Sequence, residues 1–378
     1  MSYCNIWIYG RNFAVISKPL VKKTVQKPRC LVIFEESIKS TETKKAYFFA
    51  LEKFRKWANL KNYDDLLEAD EKSIQRLLED YVISMKGKIS PNTFNTRLAP
   101  IFLFYQVNDI IINKIRIKKM FPAKVKRSGY SAYSREHIQK MLNTTRSKRT
   151  KACILIMAST GCRSGALSGL KMNDIQDYKD GCKIVTFYSE DTSEYVGFLT
   201  PEASKTLDDY LDERIQNHER IEHESPLIRE TYRIGSIPAR PINRYMLESM
   251  IEITQKDGQR KKGSSGRYNT PITGGFRKFF NIVMKLRKET NLSLCEKLMG
   301  HSVTIGLDNH YLPASNEELF NEFSKVIPEL TIEESQRLKI GNDLKDKKIQ
   351  ELETDKDRRM SNLEVMVSEL AKRLDSKL

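Results

Sequence analysis

Leu298-Met299-Gly300-His301-Ser302, followed shortly by Gly306-Leu307-Asp308-Asn309-His310-Tyr311, is the stretch of this sequence that says most about its fold. Two earlier segments carry arginines: Thr160-Gly161-Cys162-Arg163-Ser164-Gly165 and Gly274-Gly275-Phe276-Arg277-Lys278-Phe279-Phe280. Two arginines can hold one phosphate, because each planar guanidinium grips two oxygens and keeps its charge. A tyrosine hydroxyl can attack that phosphate. In chain order, these segments supply two phosphate ligands, a histidine and a nucleophile.

These motifs, in this order, resemble the tyrosine recombinase (phage integrase) family. The resemblance covers roughly residues 35–328, and its C-terminal motifs are the specific part. It implies that Arg163 and Arg277 clamp the scissile phosphate of DNA and that His301 hydrogen-bonds a phosphate oxygen. It implies that Tyr311 attacks phosphorus and becomes linked to the 3′-phosphate. Because that link conserves the energy of the phosphodiester bond, the resemblance implies no cofactor and no metal ion.

Each of these residues also has a structural interpretation when it is taken alone. Arg163 follows an apolar helix and could cap its C-terminus. Arg277 stands among aromatic residues and could simply stack on them. Tyr311 could be a packed loop aromatic, in a chain that has 16 tyrosines. The combination of motifs, rather than any one residue, favours the catalytic interpretation.

Two positions depart from the family pattern. Gly274 stands where the first histidine of the family's His-x-x-Arg pair is expected. In the family, a lysine in the turn of a β-hairpin protonates the leaving oxygen, but residues 189–194 read Ser-Glu-Asp-Thr-Ser-Glu. The loss of a general acid can slow such a reaction by about 10²–10⁴-fold.

Other residues could fill these two places. Lys183, Lys171 or a residue of the 256–269 loop could substitute for the lysine. His310, beside the expected nucleophile, could cover for the histidine. These candidates rest on proximity in sequence alone.

The charge of the chain favours a polyanionic partner. Its 378 residues carry a formal net charge of +16, and residues 1–130 hold 25 Lys and Arg against 12 Asp and Glu. Such a segment is expected where a protein binds DNA, because binding releases condensed counterions. An ordinary solvated basic surface is the other interpretation.

Cysteine spacing and hydropathy predict the compartment. The six cysteines show no paired spacing, so neither a disulfide framework nor a zinc site is expected. No apolar run reaches the about 20 residues of a membrane span, and no signal-peptide pattern is present. We therefore expect an intracellular protein, cytoplasmic and associated with the nucleoid.

The sequence predicts a mainly α fold with a small β-hairpin or sheet. Five segments follow one another: an N-terminal arm of uncertain order (1–34), a helical, SAM-like core-binding domain (35–121), a basic linker (122–133), a catalytic domain (134–328) and a charged helical or coiled-coil tail (329–378). The resemblance supplies the names of the two domains and implies a C-shaped clamp on duplex DNA.

Caps and periodic apolar residues locate the elements. Helices are expected from Ser40 or Thr41, through Ile74–Met85, from Ser90-Pro91, from Ser134, over 151–160 and from Thr200-Pro201, with strands at 184–188 and 195–199. In the tail, apolar residues alternate at spacings of three and four, at Met360, Leu363, Val367, Leu370 and Leu374. That spacing is typical of a two-heptad coiled-coil seam or of a lone amphipathic helix docked on the body.

The resemblance implies a site-specific DNA recombinase, an integrase, that acts on double-stranded DNA as a homotetramer and is a monomer in solution. The segments around Arg277 and Tyr311 resemble archaeal mobile-element integrases in particular.

Two other classes of protein stay open. A catalytically impaired relative that only binds DNA is favoured by Gly274 and the lysine-free turn, and a type IB-like topoisomerase would use similar tyrosine chemistry. A coiled-coil structural protein fits only the last turns of the chain.

Overall fold

The computed structural model of the chain describes residues 27–123, 130–231, 239–255, 260–262, 268–287, 290–301 and 314–375. The chain divides into two compact units, one ending at Ser128 and the other beginning at Gly129. Each has a hydrophobic core of its own. We call them the N-terminal unit and the C-terminal unit.

Helices make up the described part of the N-terminal unit. They are α1 (Arg29–Glu36), α2 (Thr41–Trp57), α3 (Glu71–Met85), α4 (Phe94–Val107) and α5 (Lys114–Lys119). The Ser40 hydroxyl accepts a hydrogen bond from the backbone N–H of Thr43, which confirms the predicted cap of α2. A short 3₁₀ turn begins at Pro91 and leads into α4, which contains Pro100.

The first helix begins inside the segment predicted as an N-terminal arm. In α1, Leu31 and Phe34 are buried, and the helix packs against α4. An eight-residue helix is too short to show a clean apolar period, so the sequence pattern missed it. Residues 1–26 of the predicted arm lie outside the described residues.

The described part of the C-terminal unit combines helices with a small sheet. The helices are α6 (Arg135–Thr144), α7 (Lys148–Thr160), α8 (Ser164–Gly169), α9 (Pro201–Gln216), α10 (Arg244–Ile253), α11 (Gly274–Leu286), α12 (Leu292–Leu298), α13 (Asn316–Ser324), α14 (Ile327–Leu330) and α15 (Glu334–Asp375). The predicted mainly α fold with a small β-sheet is thereby confirmed.

Three antiparallel strands form the sheet, in the order β1 (Ile175–Asp177), β2 (Lys183–Phe187) and β3 (Tyr195–Leu199). The β2–β3 hairpin was predicted, and Val185 lies opposite Gly197 in it. Strand β1 was not predicted from the sequence, because three residues are too few to show the alternation of a strand.

Helix α7 is the central element of the C-terminal unit. It is apolar on most sides and packs against α9, α11 and β3. A helix with so little polar surface must be covered all round. Ser147 caps its start, and Gly161 ends it in the left-handed conformation with φ of 61°. The chain therefore turns sharply just before Arg163.

Helix α15 leaves the body of the C-terminal unit. The described side chains from 342 to 366 are all exposed, including Met360 and Leu363 of the predicted seam. The side chains of Val367, Leu370 and Leu374 are not among those described, so the structure establishes a helix here and no pairing. No helix in the described part of the chain is long and apolar enough to cross a membrane.

Several predicted features lie outside the described residues. They are residues 124–129 of the linker, residues 256–259 and 263–267 of the predicted loop, and the segment 302–313 with His310 and Tyr311.

Candidate active site

Backbone carbonyls position the two motif arginines. Arg163 directly precedes α8, and its Nη1 donates a hydrogen bond to the carbonyl oxygen of Gly300 at 3.2 Å. Arg277 lies in the first turn of α11. Its Nη1 donates to the carbonyl oxygen of Gly161 at 2.8 Å and its Nη2 to that of Met299 at 2.7 Å. The end of α7, the start of α11 and the end of α12 therefore meet at the arginines.

Two glycines make this geometry possible. Gly161 and Gly300 both have positive φ, 61° and 57°, a conformation that costs other residues energy. A Cβ on Gly161 would lie 2.8 Å from the Phe280 ring, and one on Gly300 would overlap the ring of Tyr195. The glycines of the sequence motifs thus place carbonyl oxygens where the arginines need acceptors.

Arg163 and Arg277 lie close enough to repel each other. Burial, and then repulsion by Arg163, lower the pKa of Arg277. An arginine so placed still carries its proton, because its ordinary pKa exceeds 12. Two neighbouring guanidinium groups with unused N–H donors favour an anionic ligand.

Two cavities meet at Arg163. The smaller, of about 390 Å³, is also bordered by Arg244, Gly274 and Arg277. The larger, of about 810 Å³, is also bordered by His301, by Lys297 and by the acidic turn of the β2–β3 hairpin. Tyr188 borders both. A phosphodiester could therefore contact the arginines and the histidine together.

His301 is oriented by a carboxylate. Its Nδ1 hydrogen-bonds to Glu296, and Glu296 also accepts a hydrogen bond from Lys285. Burial works to raise the pKa of Glu296, but the hydrogen bonds from Lys285 and His301 outweigh it and hold that pKa below its ordinary value. A carboxylate accepts from an Nδ1–H, so we infer the tautomer that leaves Nε2 for a ligand.

The structure does not bring Lys183 to the arginines. Its ammonium group binds Asp177 at 2.5 Å and Asp208 at 3.1 Å. Burial works to lower the pKa of Lys183, and these two carboxylates outweigh it and raise the pKa. Lys183 begins β2 whereas Tyr188 follows its end, about 16 Å away at the usual rise of a strand. Lys171, the other lysine considered, is paired with Glu224 at 2.7 Å.

The described residues on either side of 302–313 border the larger cavity. Gly300 and His301 border the cavity on one side of residues 302–313, and Ala314 and Asn316 border it on the other. Tyr311 itself lies outside the described residues, three positions before Ala314.

Three residues of the site were missed by sequence reasoning. Arg244 follows the N-cap residue Asn243 at the start of α10, and its Nε is 2.9 Å from the Glu248 carboxylate. Tyr188 has a left-handed backbone, with φ of 56°. Glu296 precedes the histidine motif by one helical turn. None of the three stands in a recognisable pattern, so no sequence signal could have found them.

Within the part of the chain that the structure describes, no group of three or more His, Cys, Asp or Glu side chains could hold a metal ion.

The fold defines a class: the chain has the fold of the tyrosine recombinases and integrases. The XerH site-specific recombinase, in a post-cleavage complex with its palindromic difH substrate, has a TM-score of 0.50 and 17% sequence identity to this chain. The match covers 74% of this chain and 79% of XerH. The family resemblance in the sequence is thereby confirmed at the level of the fold.

Two further solved structures are similar to this chain. The Tn1549 transposon integrase, bound to transposon right-end DNA, matches over 78% of this chain and 98% of its own, with a TM-score of 0.49 and 14% identity. The XerA recombinase matches over 78% and 97%, with a TM-score of 0.36 and 22% identity. No protein-family model and no curated protein matches the chain.

Proposed function

We propose that the protein is a site-specific DNA recombinase that cleaves and rejoins duplex DNA through a 3′-phosphotyrosyl intermediate. The observation that carries the proposal is the convergence of Arg163, Arg277 and His301 around two cavities that share Arg163. The three residues come from distant parts of the chain. A packing role alone would not require them to present polar groups to a common space.

The geometry supports a division of labour at the scissile phosphate. A guanidinium has five N–H donors, and carbonyl oxygens use two of those of Arg277 and one of those of Arg163. The remaining donors can bind the two nonbridging phosphate oxygens and stabilise the charge that develops in the transition state. His301, held by Glu296 with its proton on Nδ1, presents Nε2 as an acceptor that can take the proton of the Tyr311 hydroxyl. Tyr311, whose segment is flanked by described residues that border the cavity, attacks phosphorus.

Arg244 can make up for the missing histidine. It borders the same cavity as Gly274, the position where the family pattern expects the first histidine of His-x-x-Arg. A third cation there would contact the same phosphate. In the proposed site Arg244 therefore takes over the charge-stabilising part of the histidine's role.

The charge of the chain supports duplex DNA as the substrate. Residues 1–130 carry a net charge of +13, and XerH is a recombinase solved with its DNA substrate. A basic surface of this kind provides affinity for the phosphate backbone without sequence information. We propose that the protein assembles as a homotetramer on two DNA sites, inside the cell, as the integrase of an archaeal mobile element.

Covalent trapping tests the proposal. Purified protein is mixed with nicked duplexes made from the flanks of its own gene and run on a denaturing gel. We expect a slower band that is absent with Tyr311→Phe and with Arg277→Ala. Tyr105→Phe is the matched control, because the Tyr105 hydroxyl is buried without a hydrogen-bond partner among the described residues of the N-terminal unit.

The acidic hairpin turn favours one other function. Asp191 and Glu194 border the larger cavity, where their charge opposes a phosphate backbone. A protein that binds DNA and does not cleave it would tolerate such a turn. Binding without any covalent species, on every site tried, would establish that function. Relaxation of supercoiled plasmid regardless of sequence would instead indicate a topoisomerase.

A further inference from the structure

Tyr188 stands where the acidic turn leaves the sheet. It directly follows β2, and its φ of 56° is in the left-handed region, which bulky residues rarely adopt. Such backbone strain usually persists where a side chain must point in a particular direction. Here the side chain borders the smaller cavity together with Arg163 and Arg277, and its hydroxyl oxygen lies 3.9 Å from the position that a Cβ on Gly165 would occupy.

The position of Tyr188 links the two cavities. Tyr188 and Arg163 border both of them, whereas His301 and Lys297 border the larger one and Arg277 the smaller. The ring is partly buried and packs beside that of Tyr195 at a centroid distance of 6.2 Å. Among the described residues, the hydroxyl of Tyr188 has no hydrogen-bond partner, so it can donate to a ligand.

The proposed reaction needs a proton at this place. When Tyr311 attacks, the bond from phosphorus to the 5′-oxygen of DNA breaks, and an unprotonated alkoxide is a poor leaving group. The hairpin turn carries no lysine, and Lys183 is bound by two aspartates at the far end of β2. The donor must therefore come from another residue that borders the site.

We propose that the Tyr188 hydroxyl is the general acid that protonates the leaving 5′-oxygen, an inference that rests on the proposed recombinase function. The Tyr311 hydroxyl gives its proton to Nε2 of His301 as its oxygen forms a bond to phosphorus, the P–O5′ bond breaks, and the 5′-oxygen takes the proton of Tyr188. The Tyr188 phenolate that remains is stabilised by Arg163 and Arg277. On religation the 5′-hydroxyl returns its proton to Tyr188 as it attacks the phosphotyrosine, and the leaving Tyr311 oxygen takes back the proton held by His301.

The electrostatics of the site agree with this role. Burial raises the pKa of Tyr188, against the opposing field of Arg163 and Arg277. Tyr188 therefore keeps its proton at neutral pH. It remains a far stronger acid than the departing alcohol, because a phenol hydroxyl ionises much more readily than an aliphatic one. Proton transfer to the departing alkoxide is accordingly downhill.

A sulfur-substituted DNA tests the role of Tyr188. In a nicked duplex with sulfur in place of the bridging 5′-oxygen, the leaving group is a thiolate, which needs no proton because thiols have a pKa of about 8.5. Tyr188→Phe should form the covalent complex about 10²–10⁴-fold more slowly than the wild type on oxygen DNA. On sulfur DNA it should match the wild type.

Matched variants separate this role from others. Arg277→Ala should be slow on both DNAs, and Tyr105→Phe should be normal on both. Tyr188→Phe at the wild-type rate on oxygen DNA would overturn the inference, as would equal slowing on both DNAs. Selective rescue of Lys297→Ala by sulfur would assign the proton to Lys297 instead. A wild-type protein that cleaves neither DNA would refute the recombinase function itself, and the role of Tyr188 with it.

Discussion

At the residue scale, the carboxylate of Glu296 connects His301 to the rest of the site. Because it also binds Lys285, its negative charge is held in place by two partners on different elements. We expect Glu296→Gln to slow formation of the covalent complex by about tenfold or more, since an amide can donate to Nδ1 and select the wrong tautomer. Single-turnover cleavage of a nicked duplex measures the effect.

A double mutant shows whether Glu296 acts through His301. In a His301→Ala background, Glu296→Gln should cause no further loss of rate, because two groups that act as one unit are not additive. Additive losses would mean that Glu296 affects the site in another way, such as by the stability of α12. Thermal unfolding of both single variants serves as the control.

The residues of the site fall into two groups according to what the sequence could reveal. Arg163, Arg277 and His301 stand in motifs whose glycines have a physical reason, so their convergence could be predicted. Glu296, Tyr188 and Arg244 reach the site through the packing of helices and the direction of a turn. Such contacts depend on distances between elements far apart in the chain, which local patterns do not encode.

At the element scale, a buried charge cluster ties the end of α9 to the segment after it. Arg214 and Arg229 both bind Glu219, at 2.8 and 2.6 Å, and Arg214 also donates to the carbonyl oxygens of Pro226 and Leu227. The Glu219 side chain is 10% exposed. This carboxylate is therefore the counter-ion of two buried guanidinium groups.

Removing that carboxylate should destabilise the C-terminal unit. Glu219→Gln is expected to lower the free energy of unfolding by about 3–5 kcal/mol, because it leaves buried arginines without their charge partner. Urea unfolding followed by circular dichroism measures the change. Glu224→Gln, at an exposed ion pair with Lys171, is the control and should cost less than about 1 kcal/mol.

The same cluster predicts a pH dependence. Burial works to raise the pKa of Glu219, but hydrogen bonds from Arg214 and Arg229 outweigh it, so the folded pKa lies below the unfolded value of about 4.3. The stabilisation is therefore complete above that value and is lost as the pH falls through the lower, folded pKa. Glu219→Gln should reduce the loss of stability between neutral and acidic pH. If Glu219→Gln and the wild type lost the same free energy of unfolding between neutral and acidic pH, the predicted contribution of Glu219 would be wrong.

Element prediction succeeded where a cap or a period was present. The starts of α2, α6 and α9 and the left-handed end of α7 were all marked by capping residues that the structure confirms.

Lys183 was a candidate for the missing lysine because it lies close to the hairpin turn in the sequence. The register of the hairpin, with Lys183 opposite Leu199, puts that lysine at the end of the hairpin away from the turn. Sequence proximity could not show this.

At the scale of the whole molecule, the tail should be dispensable for stability. Since the described side chains of residues 342–366 are exposed, a chain that ends at Gly341 is expected to unfold within about 2 °C of the full chain. A larger fall in the unfolding temperature would mean that the tail packs on the body or on a second copy. Sedimentation at several concentrations would distinguish these two cases.

A shorter chain provides the contrast. Glu202 is buried and accepts hydrogen bonds from the backbone N–H groups of Ile332 at 2.7 Å and Glu333 at 2.9 Å. A chain that ends at Thr331 loses both donors and leaves a buried carboxylate poorly satisfied. Its unfolding temperature should fall by several degrees, since such a group costs about 1–3 kcal/mol.

The two hydrogen bonds from Arg277 to backbone carbonyls bear on which site residues such a protein would keep if it lost its activity. Arg277 bridges the ends of α7 and α12, so it would keep a structural role in a descendant that had abandoned DNA cleavage. Arg163 is exposed and makes one longer bond, to Gly300. In a descendant that no longer cleaved DNA, mutations that replace Arg163 would therefore be tolerated before mutations that replace Arg277. The presence of Arg163 in this chain therefore supports the proposed cleavage chemistry more strongly than the presence of Arg277, which is more deeply buried.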